Sequence, residues 1–267
     1  MERSDYINVA RNLGVHRSMG QNFLLNSEIA AMESNYGKGM TVIELGPGLG
    51  ILTRELCRSA KKVIAVEKDE RLFGMLGSEL KSKKLRLIMG DFFEIDSSEF
   101  DGAQIMISNI PYELSSKVIY WLGSREIPAL LCIQKEFSAH MLARPGSRDY
   151  SKLSVVSSLK FNVHNIREVP AGNFYPRPRV DSRIVYLVPK KVVLDPSIIR
   201  VISLIMNHKK KRLRNAVVDS ADGLGIGKVQ ARKLAQTLDH SDERPFQLEP
   251  SAILEIAERI RKELALE

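Results

Sequence analysis

The chain reads TVIELGPGLG from Thr41 to Gly50, and this stretch decides its fold. The first half, Thr41–Leu45, is an apolar, β-branched run that predicts a buried strand. The second half is rich in glycine, and apolar residues return at helical spacing from Ile51 onward. A strand, a glycine turn and a helix in this order bring backbone N–H groups close to a nucleotide-like ligand.

The spacing of the glycines and one later carboxylate narrow the class of ligand. The turn reads G-x-G-x-G, one residue shorter than the dinucleotide fingerprint, and no Gly-Lys-Ser/Thr follows to hold a triphosphate. Glu67 ends a second strand-like run, Lys62–Val66. A carboxylate about 20 residues after such a turn is placed to accept hydrogen bonds from ribose hydroxyls. The alternatives are a tight loop without a ligand and a solvated charge at Glu67.

Strand-like and helix-like segments alternate from Thr41 onward, which predicts an α/β fold with a mostly parallel sheet and helices on both faces. The pattern changes after Pro189-Lys190-Lys191, where the chain becomes helical with a polar face. We therefore expect a large domain over residues 1–190 and a small α-helical C-terminal domain over residues 191–267. The predicted strands lie near 41–46, 62–67, 85–90, 104–108, 129–134, 160–169 and 182–188, and the predicted helices of the large domain near 51–59, 69–80, 115–123 and 135–143.

Composition points to a cytosolic protein with a polyanionic partner. Lys and Arg outnumber Asp and Glu by 40 to 32, which gives a formal net charge of +8 and favours an acidic partner such as nucleic acid. The two cysteines, Cys57 and Cys132, lie in apolar stretches and form no disulfide framework, as expected in a reducing compartment. The N-terminus lacks the apolar core of a signal peptide, and no apolar run reaches the ~18 residues of a membrane span.

Residues that bind a ligand are expected just past the strand ends, because ligands of an open parallel sheet bind at the carboxyl edge of the strands. Asp91 and Phe92 follow the third strand. Asp91 is placed to accept a hydrogen bond from the exocyclic amine of an adenine, with Phe92 packed on the face of that base. The alternative for Asp91 is an ordinary turn aspartate after Gly90.

The most specific stretch is Asn109-Ile110-Pro111-Tyr112, which follows the fourth strand. The Asn109 side-chain oxygen and the backbone carbonyl fixed by the proline form two acceptors, and Tyr112 supplies a flat aromatic face. Two acceptors beside a stacking surface suit an exocyclic amine on a planar base. An asparagine-proline turn that merely closes a strand explains the backbone but not the neighbouring aromatic ring.

Together these residues resemble the ribosomal-RNA adenine N6-dimethyltransferase family of the KsgA type, nearly from end to end. The sequence departs from the family pattern at Glu113 and in Asn207-His208-Lys209-Lys210, neither of which touches the expected chemistry. The stretches that carry the resemblance are Gly20–Leu24, Glu44–Gly50, Glu67, Gly90-Asp91, Asn109–Tyr112, Gln134–Glu136, Leu153–Val155, Phe174–Ser182 and Lys211–Asn215.

The resemblance implies a Rossmann-like S-adenosylmethionine-dependent methyltransferase fold with a seven-stranded sheet. It implies N6-dimethylation of two adjacent adenosines near the 3′ end of small-subunit, 16S-type rRNA, by a monomer acting on the pre-30S or 30S particle. The catalytic residues carried over are Asn109, Ile110, Pro111, Tyr112 and Phe174. The residues carried over for S-adenosylmethionine are Gln21, Asn22, Leu24, Gly46, Gly48, Glu67, Lys68, Asp91, Phe92 and Asn109.

Five positive charges within residues 209–214 favour an RNA contact, because phosphate neutralisation dominates such affinity. The alternative is a solvated helix face. We expect no metal site, because no His, Cys or carboxylate cluster has the spacing of metal ligands. The predicted RNA-binding residues are Lys209, Lys210, Lys211, Arg212, Arg214, Arg177 and Arg179.

Three rival functions remain open at this point. The first is a methyltransferase acting on large-subunit (23S) rRNA, which the basic C-terminal helices disfavour. The second is an RNA-binding ribosome-assembly factor or transcription-factor relative with vestigial catalysis, which the intact set Glu67, Asp91 and Asn109 disfavours. The third is a dinucleotide-binding oxidoreductase, which both the glycine spacing and the Asn-Ile-Pro-Tyr stretch disfavour.

Overall fold

The computed structural model describes residues 3–14, 21–192 and 194–265. These residues form two compact units. The first contains the chain up to Lys135 together with His164–Val188, and the second contains Glu136–Val163 together with Pro189–Glu267. None of the helices in these ranges is both long enough and apolar enough to cross a membrane.

The helices and strands of the described residues are numbered in chain order. The helices are α1 (Arg3–Asn12), α2 (Ser27–Asn35), α3 (Ile51–Ser59), α4 (Glu70–Glu79), α5 (Ser115–Arg125), α6 (Lys135–Met141), α7 (Lys152–Lys160), α8 (Pro196–Asn207), α9 (Leu213–Asp219), α10 (Lys228–Thr237) and α11 (Pro250–Glu263). The strands are β1 (Phe23–Leu24), β2 (Thr41–Leu45), β3 (Lys62–Glu67), β4 (Leu85–Met89), β5 (Ile105–Asn109), β6 (Ala129–Gln134), β7 (Phe161–Val169), β8 (Phe174–Tyr175) and β9 (Ser182–Pro189).

The main sheet has seven strands in the order β4-β3-β2-β5-β6-β9-β7. The strands from β4 to β6 pair in parallel, and β9 pairs antiparallel to β6. The predicted mostly parallel seven-stranded α/β sheet is therefore confirmed. The chain leaves β2 toward β3 and β4 and later returns to β5 on the other side of β2, so the order reverses beside β2. The carboxyl edge at such a reversal is where open α/β sheets bind ligands.

The central strands are buried on both faces, which explains why they read as continuous apolar runs. Val42, Ile43, Val63 and Ile64 are at most 1% exposed. Helix α3 covers the sheet with one apolar stripe, since Leu52 and Leu56 are buried at i and i+4 spacing. The predicted strands and helices agree with the observed ones to within about two residues, the usual uncertainty of element ends.

One small sheet was not predicted from the sequence. Strand β1 pairs antiparallel with β8, with Phe23 opposite Tyr175 and Leu24 opposite Phe174. Two residues are too few to show a hydrophobic period, so only the fold brings these segments together. The start of the first family motif, Gly20, lies outside the described residues.

The second unit has its own core, built mainly from α8 to α11. Tyr150 and Val155 are fully buried in that core. The predicted boundary at residue 190 lies next to the third of the three points at which the chain passes from one unit to the other, between Val188 and Pro189. The prediction places the segment Glu136–Val163 in the first domain. In the structure this segment belongs to the second unit, because apolar side chains such as Tyr150 and Val155 pack in the core of that unit. The functions assigned to the two domains stay predictions.

Candidate functional site

The glycine turn after β2 depends on backbone conformations that favour glycine. Gly46, Gly48 and Gly50 have φ values of 66°, 57° and 77°, in the left-handed region. A Cβ at Gly48 would lie 2.5 Å from Cδ1 of Phe23, closer than two carbon atoms can approach without displacement. The turn is thus held tightly against β1 and can be built only with glycine at this position.

Glu67 lies at the carboxyl end of β3, beside the glycine turn. Its Oε2 accepts a hydrogen bond from the Gly48 backbone N–H over 3.1 Å, and its Oε1 accepts one from the Asp69 N–H over 2.9 Å. Burial raises the pKa of Glu67 above its ordinary value, although these backbone donors act in the opposite direction. The carboxylate is held rigidly, and an acceptor group so placed can bind hydroxyl groups.

A cavity of about 380 Å³ opens at this edge of the sheet, within the first unit. It brings together six of the residues predicted to bind the cofactor, which come from four separate parts of the chain. Its lining consists of Gln21, Leu45, Gly46, Val66, Glu67, Lys68, Asp69, Gly90, Asp91, Phe92, Pro111, Glu113 and Leu114. Asp69 was not predicted from the sequence; its carboxylate accepts a hydrogen bond from Gln21 Nε2 over 3.2 Å.

Asp91 and Phe92 lie in this cavity but have protein partners of their own. The Asp91 carboxylate is 2.7 Å from Lys68 Nζ, and this hydrogen bond holds the pKa of Asp91 below its ordinary value. The Phe92 ring is 5% exposed and lies 4.9 Å from the ring of Trp121 and 5.0 Å from that of Phe100, between centroids. Phe92 is therefore fixed by an aromatic cluster, and only a small part of its surface faces a ligand.

A small recess of about 30 Å³ contains Asn22 and Leu24, also predicted for the cofactor, together with Asn109 and Glu44. Glu44 belongs to the Glu44–Gly50 stretch that carries the family resemblance but was not among the residues predicted for the cofactor, and the structure places its carboxyl group in this recess. Burial, with Glu33 and Glu67 nearby, raises the pKa of Glu44 to about 8. Its Oε2 has no hydrogen-bond partner within the described part of the chain. Such a group suits a cationic or hydrogen-bond-donating ligand.

Asn109 is the last residue of β5, and its amide has two different environments. Nδ2 donates a hydrogen bond to Oε2 of Glu33 on α2 over 3.2 Å. Oδ1 is buried and has no partner among residues 3–14, 21–192 and 194–265. Glu33 was missed in the sequence because it belongs to no motif. The one signal was its position four residues after Ile29, on the face of α2 that becomes buried.

The residues predicted to hold the target base line a second small recess. Asn22, Asn109, Ile110, Pro111, Tyr112, Cys132 and Phe174 line it. The Tyr112 hydroxyl lies 2.7 Å from Oγ of Ser182, which holds the ring in place, and Phe174 is 4% exposed. The recess measures about 10 Å³, so a purine fits there only after Tyr112 or Phe174 moves.

Some of the predicted RNA-binding residues pair with other groups of the protein, and others are exposed. Lys209 is used internally: its Nζ donates to the backbone oxygens of Arg148 and Tyr150. Lys211 pairs with Asp219 over 2.6 Å, and Arg212 and Arg214 both pair with Asp242. Lys210 in the second unit and Arg177 and Arg179 in the first unit are exposed.

The described residues contain no group of three His, Cys, Asp or Glu side chains that could hold a metal ion.

Comparison with known proteins gives consistent relatives. Residues 12–238 match the family described as ribosomal RNA adenine dimethylase. A protein of Thermococcus kodakarensis named probable ribosomal RNA small subunit methyltransferase A is 38% identical, over 96% of this chain and 94% of its own length. A protein of the same name from Methanopyrus kandleri is 37% identical, over 98% of this chain and 96% of its own.

Solved structures show the same architecture. The crystal structure of a dimethyladenosine transferase from Plasmodium falciparum superimposes with a TM-score of 0.73 at 27% identity, covering 88% of this chain and 95% of that one. The 23S rRNA methyltransferase ErmE gives a TM-score of 0.58 at 23% identity, covering 88% of this chain and 99% of its own. The second similarity is one of fold.

Proposed function

The chain belongs to the ribosomal RNA adenine dimethylase family, and from that premise we propose its reaction. The protein transfers methyl groups from S-adenosylmethionine to N6 of adenosines in small-subunit ribosomal RNA. The finer assignment is dimethylation of two adjacent adenosines near the 3′ end of 16S-type rRNA, within the assembling small subunit in the cytoplasm. A monomer suffices, because all the predicted catalytic residues belong to one unit of one chain.

The observation that carries the proposal is the buried Oδ1 of Asn109 at the carboxyl end of β5, which has no hydrogen-bond partner among the residues that the structure describes. A buried amide oxygen without a hydrogen bond is costly, and such groups in native structures call for an explanation. The N6 amine of an adenine in the adjacent recess would satisfy this oxygen. An active site of this family needs a group of this kind, and an assembly factor without catalysis does not.

Adenine N6 is a poor nucleophile because its lone pair is delocalised into the ring. Asn109 Oδ1 and the Ile110 carbonyl accept the two N6 hydrogens and draw the nitrogen toward tetrahedral geometry, which localises that lone pair. The two oxygens would stabilise the positive charge that N6 gains when it takes the methyl group, while the electron pair of the methyl–sulfur bond that breaks would stay on the sulfur. The proton then leaves for solvent. Positioning and electrostatic stabilisation supply most of the rate in such a site.

The cofactor fits the residues at the carboxyl edge of the sheet. S-adenosylmethionine, when bound, supplies an electrophilic methyl group on a sulfonium sulfur. Glu67 would accept hydrogen bonds from the ribose hydroxyls, and Asp91 from the adenine amine. Asn22 and Leu24 would line the methionine end. Oε2 of Glu44 lies in the same recess, has no hydrogen-bond partner in the described part of the chain and suits the cationic end of this ligand.

The target base must leave its stack to reach Asn109. Tyr112 and Phe174 would hold it by stacking, which is worth ~1–3 kcal/mol per base on the usual alanine-substitution scale. The recess they enclose must widen on binding, because its volume of about 10 Å³ is smaller than a purine. Exposed cations, among them Lys210 and Arg177, would neutralise RNA phosphates.

Methyl transfer to isolated ribosomal subunits tests the proposal. Small subunits that lack the modification are incubated with the protein and tritiated S-adenosylmethionine, and the RNA is digested to nucleosides. We expect label in N6,N6-dimethyladenosine from the small subunit. Label only in large-subunit RNA would support the 23S alternative, which the similarity of fold to ErmE does not by itself favour. No label in either subunit would refute the proposed reaction.

A further inference from the structure

Glu33 is a fully buried carboxyl group that the proposed reaction does not use. It lies on α2, is 0% exposed, and its Oε2 accepts a hydrogen bond from Asn109 Nδ2 over 3.2 Å. Its other oxygen, Oε1, has no partner within the described residues. Burial raises the pKa of Glu33 to about 8. Burying a carboxyl group inside the protein costs free energy. An apolar side chain would therefore serve a purely structural role at this position better than glutamate does.

The orientation of the Asn109 amide matters because its two ends have opposite hydrogen-bonding character. The backbone of Asn109 is fixed, since it pairs with Cys132 of β6. The terminal torsion of an asparagine is broad and roughly two-fold, so the backbone alone does not decide which end faces the base. With Oδ1 outward the side chain accepts a hydrogen from N6, and with Nδ2 outward it repels that amine.

Above its pKa of about 8, Glu33 is a carboxylate, which resolves this ambiguity because both of its oxygens then only accept hydrogen bonds. Glu33 can therefore bind the Nδ2 end of Asn109 and not the Oδ1 end. We propose that Glu33 is a positioning residue, which fixes the Asn109 amide with Oδ1 facing the target adenine. This inference rests on the proposed function and adds to it a residue outside the family motifs.

Two substitutions separate this role from packing. Glu33→Leu fills a similar volume and removes the acceptor, so the amide turns freely. Glu33→Gln offers either an oxygen or an NH₂ group, so it tolerates both amide orientations. Ser34→Ala on the same helix is the matched control, because Ser34 is also buried and its hydroxyl donates only to the Ala31 carbonyl.

The kinetic expectation is a loss of kcat without a loss of cofactor affinity. Misplacement of one catalytic group costs on the order of 100-fold, so at a pH above the pKa of Glu33 we expect Glu33→Leu to lower kcat about 10- to 100-fold. Glu33→Gln should lower it about three- to tenfold. The dissociation constant of S-adenosylmethionine should change by less than about twofold in both variants, and Ser34→Ala should retain wild-type kcat. A packing defect would instead lower the melting temperature and affect binding and turnover together.

Asparagine-selective ¹⁵N NMR reports the amide directly, without any turnover. The Asn109 side-chain signals are identified by their absence in Asn109→Ala. In the wild-type protein one Nδ2 proton should be shifted downfield by its bond to the Glu33 carboxylate, and this shift should disappear in Glu33→Leu. The measurement needs neither RNA nor cofactor.

The possible results separate the inference from the function. Wild-type kcat in Glu33→Leu, or an Asn109 signal unchanged by that substitution, overturns the inference while the methyltransferase activity stands. Absence of methyl transfer by the wild-type protein overturns the proposed function, whatever the NMR signal shows. If Glu33→Leu fails to fold, Glu33→Gln decides, and kcat equal to wild type in that variant overturns the positioning role.

Discussion

The carboxylate of Glu67 accepts a hydrogen bond from the backbone N–H of Gly48 over 3.1 Å. This bond joins the end of β3 to the glycine turn that follows β2. The turn and the proposed ribose acceptor are thus one structural unit, and a change in either should disturb the other.

Glu67→Ala should weaken binding of S-adenosylmethionine at least tenfold, measured by titration calorimetry. The substitution removes the proposed ribose acceptor and leaves the Gly48 N–H without its partner. The matched control is Glu70→Ala, which removes an exposed glutamate three residues away and should leave the affinity unchanged. Equal affinity in wild type and Glu67→Ala would mean that the ribose contact is wrongly assigned.

Gly48→Ala should abolish cofactor binding, because the new Cβ would lie 2.5 Å from Cδ1 of Phe23 and the backbone has a φ of +57°. The control is Gly77→Ala, inside α4, where nothing lies within 4 Å of the added Cβ. Replacing a helical glycine by alanine is favourable by about 0.5–1 kcal/mol, so this control should bind normally and melt slightly higher. Normal binding by Gly48→Ala would show that the turn accommodates a Cβ at this position.

Asn109→Ala should reduce methyl transfer by at least 100-fold, because loss of one preorganised polar group at a reacting atom typically costs 10²–10³ in kcat, on the order of 3 kcal/mol. Cofactor affinity should change little, since the proposed ribose and adenine contacts are made in the cavity of about 380 Å³, whose lining does not include Asn109. Single-turnover assays with small subunits and calorimetry with the cofactor measure the two effects separately. Turnover at the wild-type rate would remove Asn109 from the mechanism.

Glu44→Gln should stabilise the protein at pH 8 more than at pH 5. Burial raises the pKa of Glu44 from 4.5 to about 8, so the folded protein holds a proton that the unfolded chain releases near pH 4.5. The free energy of unfolding therefore falls as pH rises between these two values. Glutamine removes this contribution, and Glu33, also with a pKa of about 8, supplies the remaining slope.

Melting temperatures at pH 5 and pH 8, measured without cofactor, check this expectation. Glu44→Gln should gain several degrees at pH 8 and little at pH 5. The control Glu258→Gln, on the exposed face of α11, should shift both temperatures equally. A gain of the same size at both pH values in Glu44→Gln would contradict burial of an ionisable carboxyl at this position.

Lys209 and Lys210 should behave differently despite being neighbours. Lys210→Met should lower RNA affinity and reduce the slope of log K against log salt by about 1, as expected for loss of one phosphate contact. Lys209→Met should lower the melting temperature instead, because Lys209 Nζ donates to the backbone oxygens of Arg148 and Tyr150. Lys83→Met, at an exposed site on the first unit, is the control for loss of charge alone.

Much of the fold could be predicted because the central strands show their burial in the sequence. Val42 and Val63 lie in short, continuous apolar runs, and a buried parallel strand has that pattern. The turn at Gly46–Gly50 was likewise predictable, since glycine is the residue that most readily adopts the positive φ values of such a turn. The β1–β8 pair and the packing of Glu136–Val163 with the second unit were not predicted, because they depend on contacts between distant segments.

The candidate site could be predicted where a residue lies at the end of a strand within a motif. Glu67 and Asn109 are of this kind. Glu33 is a buried carboxyl group within a helix and belongs to no motif, and Glu44 begins the Glu44–Gly50 stretch but reads there as a residue of a buried strand. Their importance comes from three-dimensional proximity to Asn109 and the cofactor recess. The partners of Lys209 were missed for the same reason, because a run of basic residues does not reveal which charges are used internally.

The central claim is that the cofactor and a target adenine meet at Asn109, at the carboxyl edge of β2 and β5. A crystal structure with S-adenosylhomocysteine and an adenosine-containing RNA fragment tests this most directly. We expect the ribose hydroxyls within hydrogen-bond distance of Glu67, and adenine N6 about 3 Å from Oδ1 of Asn109. Either ligand bound elsewhere, or Asn109 facing N6 with its NH₂ group, would contradict it.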